Sequence, residues 1–81
     1  MKHTWLADGG HEWLAVPITM ARAVEGISEY SYIDPNGRVA YLEGDCDAAL
    51  FIAHYNLGED DMTVGKYYDG DAPLRNYARY K

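Results

Sequence analysis

A chain of 81 residues, 48% of them hydrophobic, has room for a single domain, spanning residues 1–81, with one modest core. Its 13 Asp and Glu against 7 Lys and Arg give a net charge of −6 and a pI near 4.7, which disfavours binding of nucleic acid through a basic surface. The lone cysteine, Cys46, excludes a disulfide framework, and the longest apolar run, residues 48–53, is far too short to cross a membrane.

The first residues show no apolar signal-peptide core, so a protein of the reducing cytosol is expected. Residues 2–7 and 11–16 predict two short strands joined by the turn Asp8-Gly9-Gly10. Pro17 then opens a short helix that presents Ile18, Ala21 and Val24 on one face and stops at Gly26. Residues 28–33 and 38–43 predict a hairpin about Asp34-Pro35-Asn36-Gly37, a type I turn closed by a glycine bulge. In that register Ile33 faces Val39, Tyr32 faces Ala40, Ser31 faces Tyr41 and Tyr30 faces Leu42.

Asp45 is the expected N-cap of the strongest helix, from Cys46 to about Leu57. Cys46, Leu50, Ala53 and Leu57 form one apolar stripe; Ala48, Phe51, Ile52 and Tyr55 form another. Gly58 is its expected stop. Residues 63–68 predict a short strand, Asp69-Gly70-Asp71-Ala72-Pro73 a turn, and residues 74–81 a last strand or docked tail. The expected fold is α+β: a small antiparallel sheet packed on one long central helix plus one short helix, in ββαββα order with a C-terminal tail.

Charge is unevenly placed. Residues 25–71 hold eleven acids against Arg38 and Lys66, whereas the last ten hold Arg75, Arg79 and Lys81 and no acid. Glu43, Asp45 and Asp47 share a face while the chain is extended, and Glu59, Asp60 and Asp61 follow the far end of the helix. The macrodipole disfavours acids at that far end. Such a rod of negative charge fits a groove built for a phosphate backbone. These six residues are the candidate partner contacts, with Asp69 and Asp71 behind them. The ordinary alternative is a solvated face that caps a helix and keeps the protein soluble.

Catalytic and metal chemistry have little support. His3, His11, His54 and Cys46 lack the spacing of a zinc site. Cys46 at a helix N-terminus is a conceivable nucleophile with His11 or His54 as base, but it continues an apolar stripe, and burial in the core is expected. The chain is therefore read as a non-enzyme with no metal and no cofactor.

Trp13-Leu14-x-Val16-Pro17, Ile27-Ser28-Glu29-Tyr30-Ser31-Tyr32 and Tyr41-Leu42-Glu43-Gly44-Asp45-Cys46-Asp47-Ala48 resemble segments of small acidic proteins carried by phages and mobile elements of proteobacteria. Among these the chain is similar to the anti-CRISPR proteins, most like a type I-C inhibitor. The likeness covers most of residues 3–57 and is weaker in the tail. It implies a monomer in the bacterial host cytoplasm that binds the Cascade effector complex and keeps it from target DNA by occupancy, with an acidic surface that mimics the DNA backbone. The partner it implies is a protein with a basic nucleic-acid-binding surface, with no direct nucleic acid and no membrane. Two other readings share the composition: an anti-restriction factor or an antitoxin in a basic groove, and a small enzyme or sensor using Cys46.

Overall fold

The computed structural model describes residues 2–81 as an α+β fold. Its strands are β1 (His3–Ala7), β2 (Glu12–Pro17), β3 (Tyr32–Ile33), β4 (Val39–Glu43), β5 (Met62–Tyr67) and β6 (Ala78–Arg79). Two helices, α1 (Ile18–Arg22) and α2 (Asp47–Tyr55), and two 3-10 turns, Glu59–Asp61 and Pro73–Asn76, complete it. The strands form one sheet in the order β5-β1-β2-β4-β3-β6.

Alternation along the strands builds two apolar layers, because successive side chains point to opposite faces. Leu14, Val16, Ala40 and Leu42 face the helices and are buried with Ala21, Val24, Ala48 and Phe51. Trp13 and Tyr32 face the other way and are buried with Ala72 and Leu74 from the C-terminal segment. Each large side chain buried here contributes roughly 1.5–3 kcal/mol. The eight tyrosines fall mostly at margins, and only Tyr32 and Tyr80 are buried.

Several expectations are corrected. The sheet is mixed, because β5 runs parallel to β1. In place of the expected long central helix stands a nine-residue α2, Asp47–Tyr55, closed by Asn56, which takes the left-handed conformation (φ 53°) two residues before Gly58. The stripe Ala48-Phe51-Ile52-Tyr55 packs inward. Cys46, Leu50 and Ala53 from the other stripe are exposed, so the helix is two-sided. Helix α1 ends at Arg22, four residues before Gly26.

The turn at Asp34 forms as expected: Gly37 donates its N–H to the Asp34 carbonyl at 2.9 Å and adopts φ 69°. The hairpin register is nevertheless one residue off, with Tyr32 opposite Tyr41 and Ile33 opposite Ala40. The cause is local. Asp34 Oδ1 accepts the N–H groups of Arg38 and Val39, at 2.7 and 2.9 Å, and so holds an additional residue in the loop. A one-residue slip moves every side chain to the other face. Tyr41 therefore lies on the Trp13 side, while Ala40 and Leu42 reach the helices. Residues 28–31 do not extend the strand.

Candidate functional site

The C-terminal end of β1, the start of β2 and the end of β4 meet at one end of the sheet, since Ala7 pairs with Glu12 and Trp13 with Glu43. The chain enters α2 from the same end. This brings Glu43 and Asp45 beside Glu12, a residue the sequence reading did not single out. A cleft of about 300 Å³ lies between them, lined by residues 7–12 and 43–45. Gly44 allows the approach: it donates its N–H to the Glu12 carbonyl at 2.9 Å, and a Cβ there would lie 2.5 Å from Glu12 Cγ. Glu43 Oε1 accepts the Asp45 N–H at 2.7 Å, which fixes one carboxylate against the backbone of the next.

The nearest cations do not cancel these charges equally. Arg75 donates through Nε to Asp8 Oδ2 at 2.6 Å and through Nη2 to Oδ1 at 2.9 Å. Asp8 also accepts from Ala72 N, Gly10 N and His11 N. The Arg75 hydrogen bonds, then that from Ala72, hold the Asp8 carboxyl far below the ordinary carboxylate range, and Asp8 in turn raises Arg75. Arg75 is thus compensated internally. Its other near acid, Asp71, lies 3.9 Å away, and both Asp71 and Asp69 are exposed in a turn at this same end. Arg79 lies over the Tyr32 ring at 5.2 Å and donates to the Glu29 carbonyl.

A second groove of about 470 Å³ adjoins the first. Trp13, Tyr30 and Tyr32 supply its aromatic surface, Arg75 and Arg79 lie on one side, and Glu43, Asp45, Cys46 and His11 complete it. Cys46 is exposed here, contrary to the expected burial, because α2 begins one residue later and leaves it outside the first turn.

Asp47 is corrected as a contact residue. It is 1% exposed, and its Oδ2 accepts from Ser28 N at 3.1 Å, Ser28 Oγ at 2.7 Å and Ser31 Oγ at 2.6 Å. Its carboxylate is held inside the fold, where it stabilises the loop before β3. The three candidate acids that follow α2 lie at the other end of the sheet. Glu59 and Asp60 are exposed, and Asp61 accepts the Gly58 N–H at 2.9 Å. Between the two ends the exposed face of α2 offers Ala49, Leu50, Ala53 and His54, so the carboxylates form two terminal patches rather than a rod.

Among the described residues, no group of three or more His, Cys, Asp or Glu is arranged to hold a metal ion. Among them, too, no helix is long and apolar enough to cross a membrane. The chain matches no protein-family model, no curated protein and no solved structure.

Proposed function

We propose that the protein is a binding inhibitor that occupies a basic, nucleic-acid-binding surface of a protein partner, as the resemblance to type I-C anti-CRISPR proteins implies. The observation that carries this reading is the convergence of Glu12, Glu43 and Asp45 on one cleft, where the adjacent Arg75 is already compensated by Asp8. Asp69 and Asp71 extend the patch, and Glu59 and Asp60 form a lesser one at the far end. Carboxylates spread over one end of a small sheet present the charge that a basic groove otherwise takes from phosphates. The mechanism is occupancy, with no covalent step.

The test is a gel shift of target DNA by purified type I-C Cascade, with and without the protein. Loss of the shifted band, restored when Glu12 and Asp45 are changed to Lys, supports the reading. Direct binding with an intact band moves the block to nuclease recruitment. No binding to Cascade removes that partner, and the anti-restriction and antitoxin readings take its place.

One observation favours a second reading. Cys46 is exposed in a groove that also holds His11, which gives the thiol access to a reactant. Slow labelling of native Cys46 by a thiol reagent, no faster than a free cysteine, would end it.

A further inference from the structure

We propose that the aromatic groove beside the acidic cleft is a binding site for a free basic amino acid, with L-arginine the member that fits it. This goes beyond the inhibitor reading and needs no protein partner. Trp13 points to a ligand. It is 2% exposed, and its indole N–H makes no hydrogen bond to the described residues, yet among them no buried polar side-chain atom is left unpaired. The N–H therefore opens to the groove of about 470 Å³ that Trp13 lines. A donor placed there takes its acceptor from outside the fold. The volume suits a small ligand.

The charges select the ligand. Arg75, Arg79, Glu43 and Asp45 all line the groove. Arg75 is paired with Asp8. Arg79 makes no ion pair among the described residues; it lies over the Tyr32 ring and donates to the Glu29 carbonyl, which leaves its charge uncompensated. Glu43 and Asp45 likewise touch no cation there. One positive and two negative charges are thus left over. A ligand that complements all three carries one anion and two cations, the charge set of a basic amino acid. A nucleotide fails this count, because its phosphate brings no cation to set against the two acids.

Neighbours in the sheet set the order along the groove. Glu43 pairs with Trp13 across β4 and β2, so an α-carboxylate on the Trp13 N–H and Arg79 has its α-ammonium directed to Glu43. Asp45 and Tyr30 lie toward the start of α2, where the hydrogen bonds from Ser28 to Asp47 anchor the Tyr30 loop. The side chain of the ligand extends to them. Tyr30 is 67% exposed, and its ring gives a planar guanidinium a face to stack on while Asp45 accepts its N–H groups. That combination prefers arginine to lysine.

Titration of the full chain with L-arginine, followed by nuclear magnetic resonance at the Trp13 indole N–H, tests the proposal. A saturable shift with a Kd of roughly 1 mM or tighter is expected. The indole of Trp5, packed against the other core, should not move. Agmatine, which lacks the carboxylate, and L-citrulline, which lacks the guanidinium charge, should each bind at least roughly tenfold more weakly to the native chain. Arg79→Gln and Asp45→Asn, both at exposed positions, should weaken L-arginine to a similar degree. No saturable shift by about 10 mM overturns the proposal. So does agmatine or L-citrulline binding as tightly as L-arginine, or an affinity that Arg79→Gln leaves unchanged.

Discussion

Asp8 and Arg75, 67 residues apart in the chain, meet in a two-point ion pair in which the Asp8 side chain is 1% exposed. Arg75 also lies over the Trp13 ring, 5.0 Å from its centre, so one guanidinium ties the β1–β2 turn to the segment that covers Trp13. A planar, bidentate donor is what the geometry uses, and a lysine does not replace it. Arg75→Lys and Asp8→Asn should each lower Tm by roughly 5–10 °C, a large single-site loss for a domain of this size. Thermal unfolding followed by circular dichroism checks this; an unchanged Tm would show that the pair is decorative.

The same pair sets the acid limb of stability. A carboxyl whose folded pKa is depressed contributes stability that is present above its unfolded value, about 3.9, and lost as pH falls from there toward the folded value. Asp8 is such a group, through its hydrogen bonds from Arg75 and Ala72. The urea midpoint should therefore fall with pH below about pH 4 in the native chain, and fall less in Asp8→Asn.

His3 acts nearer neutrality. It is buried with its ring edge-on to Phe51 at 5.3 Å, and burial lowers its pKa. A base held neutral in the fold contributes stability that is fully present above its unfolded value, about 6.5, and lost as pH falls through it toward the folded pKa. The urea midpoint should fall between pH 7 and pH 5, and His3→Gln should remove much of that slope. Nuclear magnetic resonance titration of the imidazole supplies the folded pKa directly.

Asp47 and Asp45 separate structure from contact two residues apart. Asp47→Ala strands three donors from Ser28 and Ser31 and should cost about 3 kcal/mol, since each buried polar group left unpaired is expensive. Asp45→Ala, at an exposed position, should change stability by no more than about 0.5 kcal/mol. If the acidic patch is the binding surface, Asp45→Ala is the variant that weakens the partner complex, and the native complex should weaken further as salt screens it. Chemical denaturation and calorimetric binding at two salt concentrations distinguish the two roles.

Much of the architecture was legible because short-range chemistry determines it. Asp8-Gly9-Gly10 and Asp34-Pro35-Asn36-Gly37 mark their turns, and alternation about Leu14 and Trp13 marks β2. The parallel β1–β5 pairing was not legible, because no local pattern records which distant strand docks where. The hairpin register turned on a single carboxylate, Asp34, taking over backbone donors in the loop. The site was half legible. Charge runs pointed to Glu43 and Asp45, but linear spacing could not tell that Asp47 turns inward to two serines. Glu12, isolated among neutral residues, joins the patch only through the β2–β4 pairing and the small size of Gly44.

Both outer strands of the sheet, β5 and β6, come from the last twenty residues, while the four inner strands come from the first forty-three. The inner four can close through β1–β2 and β3–β4, which are near neighbours in sequence, whereas β5 must be brought back across most of the chain. Formation of these edges carries the larger loop-closure entropy. Native-state hydrogen exchange should accordingly divide the sheet, with amides of β2 and β4 opening only on global unfolding and those of β5 and β6 exchanging through cheaper, local release of the C-terminal segment.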